Sequence, residues 1–360
     1  MKLALIRRRG SSTGGAELYL SRLMEALVER EHEVHLFAEA WDGLPEGVTL
    51  HRVDVGGGRS VKPRRFAELV REKLRGMTFD CVFSLERTLK QDVYRAGDGL
   101  HRVWLERRRA FSPWWKRFFV GQGGFHRTMR DLEAETFDPQ NTRHVIVNSE
   151  MVRSEILEHF SFPADRIHLV RNGVAVERFR SGNREAARER FELSSEDFVL
   201  LFVGSGWERK GLPVLLRAME GLGVDGIKLV VVGKGRQPRR VPEGVVFAGS
   251  MPDVEVAYAA ADLFVFPAIY EPCANVVAES LASGVPVVTS RQNGASELLA
   301  EGVNGTILND PADVVELVAA IRSWKAREPR VAVTCDAPLD LETNLEATLK
   351  ILEMAAGERA

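Results

Sequence analysis

Cysteine is scarce, with three in 360 residues. Cys81, Cys273 and Cys335 are scattered and odd in number. They give neither a disulfide framework nor a zinc-ligand spacing, which fits a reducing compartment. No apolar run approaches the roughly 18 residues of a transmembrane helix, so no membrane span is expected. The opening, MKLALIRRRGSSTGG, holds an apolar run of only Leu3 to Ile6, and its basic residues follow that run. It does not read as a secretory signal, so a cytoplasmic protein is expected. An excess of one charge is missing too. Lys and Arg number 49 against 51 Asp and Glu, a net −2. No global attraction to nucleic acid follows, and any basic function must be local.

What is there is ample core material, 45% hydrophobic. At about 150 residues per domain the length suggests two domains. Short apolar runs recur, each ending in a turn signal: LALI, VHLF, CVFSLE and HVIVNS in the first half, then FVLLFVGSG, IKLVVVGKG, VVFAGS, DLFVFPA and VPVVTS. Such runs read as strands covered on both faces, as in parallel sheets. Between them lie helical patterns, with Leu20, Leu23 and Leu27 at helical spacing and similar periodicity in VLLRAMEGL and DVVELVAAIRSW. The fold class is α/β with right-handed crossovers.

The pattern restarts. LALIRRRGSSTGG and LLFVGSGWERKGL are both strand, glycine loop, helix, which predicts two facing Rossmann-like doubly wound domains. We place them at residues 1–172 and 173–340, with a last helix at about 341–358 that packs on either. Ligands bind outside the carboxyl ends of such strands, so the expected site is the cleft between the two sheets. No long apolar edge calls for an obligate partner, and a monomer is expected.

Gly14 and Gly15 stand just before a helix, where paired glycines let the backbone approach an anion at the helix N-terminus. An ordinary tight turn explains them equally well. In GSGWERKGL, Arg209 and Lys210 sit at a helix start, where cations oppose the helix dipole. A bound diphosphate would remove that conflict. The alternative is a solvated helix start.

The stretch YEPCANVVAESLASGVPVVTS sets Glu271 and Glu279 eight positions apart in apolar, small surroundings. With Pro272 opening a helix, the two carboxylates fall about 12 Å apart along its axis. That is too far for a retaining-glycosidase pair, which needs about 5 Å. One extended ligand would span both. Otherwise Glu271 is a helix-dipole acid and Glu279 a surface residue, although Val276, Val277 and Leu281 disfavour a solvated Glu279.

This E-x7-E pair, with TGGAELYLSRLMEALVEREHEVHLF, VIVNSEMVRSEI, VRNGVAVERF, FVGSGWERKGL, VFAGS and NGASELLAEGVNGTIL, resembles the retaining glycosyltransferases of family 4, which have the GT-B fold. The resemblance runs over nearly the full length. It implies that Glu279 holds the donor ribose, Glu271 the donor sugar, and the N–H groups of Ala274, Asn275 and Val276 the sugar and phosphates. Arg209 and Lys210 would neutralise the leaving diphosphate, which Gly15 approaches from the other domain. Arg171 would add charge, and Met251 would lie near the base. The sequence has no D-x-D, so transfer without metal or cofactor is expected, Arg209 and Lys210 replacing the cation. Front-face attack would leave no need for a protein nucleophile.

From His101 to Arg130 the chain carries eight Lys/Arg, one acid (Glu106) and seven large aromatic residues. Arg107, Arg108, Trp114, Trp115, Lys116 and Arg117 suit an anionic membrane surface. The alternative is a helix whose rings enter the core. DVYRAGDGLHRVWL resembles the matching segment of the lipopolysaccharide core glucosyltransferases, which add glucose from UDP-glucose to an inner-core heptose. That implies a phosphorylated lipid-linked acceptor at the inner face of the cytoplasmic membrane. Asp98 would position or deprotonate the acceptor hydroxyl, and His101 competes for that role. Turn chemistry around Gly97 and Gly99 explains both as well. Another hexosyl or N-acetylhexosaminyl transferase, or a nucleotide-sugar-binding membrane protein without turnover, stays open.

Overall fold

The computed structural model describes residues 1–10, 15–223, 226–327 and 332–359, the side chains of residues 15–18 excepted. The chain divides into two compact units. The first comprises residues 1–171 and 342–360, the second residues 172–341. The continuous apolar runs become strands of one parallel sheet in each. The first sheet holds β1 (Lys2–Ile6), β2 (Glu33–Ala38), β3 (Val48–Arg52), β4 (Cys81–Ser84), β5 (Gln91–Arg95), β6 (Thr142–Val147) and β7 (Ile167–Leu169). The second holds β8 (Phe198–Val203), β9 (Ile227–Val232), β10 (Val245–Gly249), β11 (Leu263–Phe266), β12 (Val287–Ser290) and β13 (Gly305–Leu308).

Strand order is 3-2-1-4-5-6-7 in the first sheet and 10-9-8-11-12-13 in the second. Both are Rossmann-like, with the order reversing between β1 and β4 and between β8 and β11. At such a switch point the flanking loops part and leave room for a ligand. The loops after β1 and β4 (Arg7 to Arg9, Leu85 to Arg87) and after β8 and β11 (Gly204 to Gly211, Pro267 to Glu271) are therefore where chemistry is to be sought.

Helices cover both faces of each sheet. In the first unit Leu20, Leu23 and Leu27 of the helix Gly15–Glu29 pack on one face. Phe66 and Val70 of Lys62–Leu74 pack on the other. The last helix, Leu341–Gly357, completes the first of these layers: Leu349, Ile351, Leu352 and Ala355 are buried with Leu3, Leu36 and Phe83. Where the chain passes between units its two crossings are tied together, the Val174 N–H donating to Leu339 O at 2.7 Å. Among the described residues no helix is long and apolar enough to cross a membrane.

All nine apolar runs form strands. Among the described residues the sequence reading missed four other strands of these two sheets, and also the short pairing of Arg9–Gly10 with Ala40–Trp41. β3, β7 and β13 are edge strands with partly exposed faces, so they lack a continuous apolar run. β5 is central and entirely buried, yet polar. Its polar groups are answered inside: Asp92 accepts from the Val82 N–H (2.8 Å) and from Arg359 (3.0 Å), and Gln91 donates to Thr142.

The second unit depends on a comparable buried charge. Asp262, just before β11, accepts from the Val199 N–H at 2.7 Å and from Arg188 at 2.7 Å, and also pairs with Arg184. Asp262 and Arg188 are both buried. Removing one partner of such a pair strands the other charge. Asp262→Ala is expected to lower unfolding free energy by about 3 kcal/mol or more, measured by urea denaturation of the whole chain.

Candidate active site

The switch point of the second sheet is built on glycine. Gly204 ends β8 at φ 151°, and a Cβ there would lie 2.8 Å from Lys210 Cδ and Nζ. The missing side chain is the space into which Lys210 folds. Gly211 caps the helix Leu212–Leu222 at φ 84°, and a Cβ there would come within 1.9 Å of Pro267 O. Only glycine closes the loop so tightly against the end of β11.

Lys210 is half-buried, its ammonium 5.6 Å from the centre of the Phe266 ring. Burial draws its pKa below the usual lysine range, Glu271 and Glu279 oppose that shift, and Arg209 reinforces it. Arg209 donates to Tyr270 O at 3.0 Å. Its Nη1 also stands 2.7 Å from Glu271 Oε2 as an ion pair. The alignment is not that of a hydrogen bond, so this buried oxygen keeps its accepting capacity. A buried oxygen with unused capacity calls for a ligand donor.

Glu271 is not on the helix, contrary to the sequence expectation. The helix starts at Asn275, with Ala274 as its cap. Glu271 is held extended instead, its N–H donating to Gln292 O and its carbonyl accepting from the Gly294 N–H, each at 2.9 Å. The 12 Å spacing along a shared axis therefore does not apply. Asn293, fully buried, fixes this geometry. Its Oδ1 accepts from the N–H groups of Ala274 (3.2 Å) and Ala295 (3.1 Å), and its Nδ2 donates to Thr289 at 3.0 Å. This corrects the role expected of Ala274, whose N–H is already committed. The N–H groups of Asn275 and Val276 belong to the first helical turn, which has no intrahelical acceptor, and remain suited to an anion.

Glu279 follows on the same helix. Part of its surface stays open, while dense protein around the rest raises its pKa. Tyr258 donates to Glu279 Oε2 at 2.9 Å, with Val276 O at 3.1 Å the competing acceptor. Met251 lies in the loop after β10 and packs against the core of this unit. One unit thus collects Arg209, Lys210, Glu271, Glu279 and two helix N–H groups. The set offers cations and dipoles for a diphosphate and carboxylates for hydroxyls.

In the first unit the switch-point loops gather different groups. Asp98 is exposed, with Arg7 Nη1 3.7 Å away. Arg7 also donates to Leu85 O at 3.0 Å. His101, the competing base candidate, is a poorer one. Burial, aided by Arg87, His126 and Arg130, pushes its pKa down to about 4, and its Nε2 is 3.0 Å from His126 Nδ1. A neutral imidazole so hard to protonate accepts a proton weakly. Asp98 is the open carboxylate of this loop.

The loop is held by a buried ion pair the sequence reading missed. Glu133, fully buried, accepts from the N–H groups of His101 and Arg102 and so caps the helix His101–Ala110 from outside. Arg87 pairs with Glu133 at 3.3 Å and donates to Gly99 O at 2.6 Å. Gly15 opens the helix Gly15–Glu29, and Gly14 lies outside the described residues. Arg171 ends the first unit, half-buried, its carbonyl accepting from Asn344.

The aromatic stretch does not enter the core. Trp114, Trp115, Phe118 and Phe119 are 72, 55, 77 and 77% exposed. Arg107, Arg108, Lys116 and Arg117 beside them are exposed too.

Comparison with known proteins decides the family. Residues 197–325 match the family described as glycosyl transferases group 1, and residues 13–178 match glycosyltransferase family 4. The chain carries glycosyltransferase domains of family 4 and group 1. It is similar to the lipopolysaccharide glucosyltransferase WaaG of Escherichia coli K12, 24% identical over 88% of this chain and 87% of that one. A D-inositol 3-phosphate glycosyltransferase of Segniliparus rotundus is also 24% identical, covering 87% of this chain and 78% of that one. The crystal structure of WaaG, a glycosyltransferase involved in lipopolysaccharide biosynthesis, superposes with a TM-score of 0.79 at 22% identity, over 99% of both chains. The glycosyltransferase therefore has the GT-B fold. Anabaena Alr3699/HepE, solved with UDP and glucose, gives 0.73 at 18% identity over 98% of this chain and 99% of that one. A glycosyltransferase of this group takes a nucleotide-sugar donor, and the second unit carries groups fit to hold one.

Two outcomes follow from this geometry. The Tyr258 hydroxyl lowers the Glu279 pKa against the raising effect of burial. Tyr258→Phe should therefore move the acid limb of the pH profile for donor kcat/KM to higher pH. The test is that profile measured beside wild type. Glu133→Ala leaves Arg87 buried and unpaired and uncaps a helix, which should cost about 3 kcal/mol or more. Chemical denaturation of that variant checks it.

Proposed function

We propose that this glycosyltransferase is a retaining, metal-independent hexosyltransferase. It would move glucose from UDP-glucose to a heptose of a phosphorylated, lipid-linked saccharide of the lipopolysaccharide inner core. It would work as a peripheral protein at the inner face of the cytoplasmic membrane. The observation that carries the reading is the Lys210–Arg209–Glu271 cluster at the switch point of the second sheet. Breaking the bond between the sugar and UDP leaves negative charge on the diphosphate. A partly desolvated ammonium, a guanidinium and the N–H groups of Asn275 and Val276 are preorganised to receive it. Glu279 would hold the ribose, and Glu271, with an oxygen lacking a donor, would hold a hydroxyl of the sugar.

In this reading the acceptor attacks on the face the diphosphate leaves, which needs no protein nucleophile. The acceptor oxygen bonds to the anomeric carbon, and its proton passes to the departing phosphate or to Asp98, the open carboxylate of the first unit. Glucose as the sugar and lipopolysaccharide as the acceptor class draw support from the similarity to the lipopolysaccharide glucosyltransferase WaaG and from the UDP and glucose of the Anabaena structure. The exposed rings and cations from Arg107 to Phe119 support a membrane-bound acceptor. Four large rings in water are costly, and an interface buries them while phosphates meet the cations.

Titration calorimetry with UDP-glucose, UDP-galactose, UDP-N-acetylglucosamine and GDP-mannose, EDTA present, tests the donor. Tightest binding of UDP-glucose is expected. A preference for another donor would discard the glucose assignment and leave a different hexosyl or N-acetylhexosaminyl transferase. Lys210→Ala should lower kcat by about 10²-fold or more in product-formation assays, as for other preorganised charge partners. Unchanged turnover would remove Lys210 from the diphosphate site. Replacing Trp114, Trp115, Phe118 and Phe119 by Ser together should weaken sedimentation with anionic vesicles while sparing donor binding.

A further inference from the structure

The second unit carries a charged surface that the donor chemistry does not use. After β9 the chain runs GKGRQPRRVP, residues 233–242. Lys234 through Val241 are exposed without a break. Four of these eight residues are basic, and no acid interrupts them before Glu243. Among the described residues no side chain pairs with Lys234, Arg236, Arg239 or Arg240.

Several other arginines of this unit do find carboxylates. Arg178 pairs with Glu255 at 2.7 Å, Arg190 with Asp253 and Arg184 with Asp262. The loop therefore holds a local +4 on a chain of net −2. Like charges packed this closely repel one another, a cost that a polyanion would relieve.

The base of the loop is fixed. The Gly233 N–H donates to Gly249 O at 2.7 Å, and the Lys234 N–H donates to Ser205 Oγ at 3.0 Å. Pro238 and Pro242 restrict the chain further. The charges thus project from an anchored stem, and ordering them on a partner costs less entropy than ordering a free tail.

We propose that the loop from Lys234 to Val241 is a second contact of this glycosyltransferase with an anionic membrane surface, its four cations meeting headgroup phosphates. The proposal rests on the membrane reading of the aromatic stretch in the first unit and adds a separate electrostatic element in the second. An extended surface fits better than a single small anion. Eight consecutive exposed residues spread four charges, whereas one diphosphate is already provided for by Arg209, Lys210 and the helix N–H groups. Val241, 39% exposed at the end of the run, adds an apolar contact at headgroup depth.

The test is co-sedimentation with phosphatidylcholine vesicles, with and without about a quarter phosphatidylglycerol, across a salt series. The probe proteins are the full chain and a variant with Lys234, Arg236, Arg239 and Arg240 all changed to Gln. At roughly fivefold per basic residue near such a surface, the variant should lose tenfold or more in affinity for the anionic vesicles. Its salt dependence should flatten. Binding of UDP-glucose, followed by calorimetry, should be unchanged, and so should the melting temperature.

Unchanged vesicle affinity overturns the proposal. So does a variant that keeps vesicle affinity and loses donor affinity, because the loop would then serve the nucleotide. The variant lacking the four exposed rings separates the two readings. Loss there with none in the loop variant sinks this proposal alone. No loss in the ring variant sinks the aromatic reading, and a loss confined to the loop variant leaves the loop as the contact.

Discussion

A half-buried lysine ammonium that feels two carboxylates is the constraint around which the second unit's switch point is arranged. Burial draws the Lys210 pKa down, and Glu271 and Glu279 oppose that shift. Each part of the surrounding backbone follows from keeping the three in place. Gly204 gives the side chain room, and Gly211 lets its loop close on Pro267. Asn293 spans three segments to hold the start of the Glu279 helix beside the extended Glu271. In the proposed reading an anion would complete this cluster, and its groups are oriented before that anion arrives. Charges oriented in advance do not have to reorganise when the leaving group becomes negative.

The first unit solves a related problem with a different buried charge. Glu133 has no surface of its own, yet it caps one helix and neutralises Arg87, which in turn holds the carbonyl of Gly99. The loop bearing Asp98 and the helix leading to the exposed rings are fixed by the same carboxylate. The chemistry assigned to that loop and the surface assigned to the membrane thus share a mechanical origin.

Much of this was legible in the sequence. The apolar runs mark every central strand but one, because a strand buried on both faces has little freedom in composition. Gln91–Arg95 escaped because its polar groups find partners inside, and nothing local in a sequence announces a partner such as Arg359. Glu271, Glu279, Arg209 and Lys210 could be singled out because charge among small apolar residues is unusual. The extended state of Glu271 could not, since Pro272 reads as a helix start and only the ladder to Gln292 and Gly294 overrules it. Glu133 was hidden for a similar reason. It sits mid-helix, thirty-odd positions from the groups it caps, and looks like any surface acid. Tyr258 gave no signal because its partner lies on a different helix.

The helix Leu341–Gly357 closes the core of the unit that begins at Met1. Tyr19 meets Thr348 at 3.0 Å, His144 meets Glu358 at 3.0 Å, and Arg359 answers Asp92. A ribosome delivers these residues only after all of the second unit. Domains generally fold in the order of synthesis, but here the later-made unit can be complete while the earlier one still lacks a wall. The nascent first half must wait with apolar surface uncovered. A ribosome stalled, or a chain clipped, some twenty residues early would damage the part of the protein farthest away in sequence.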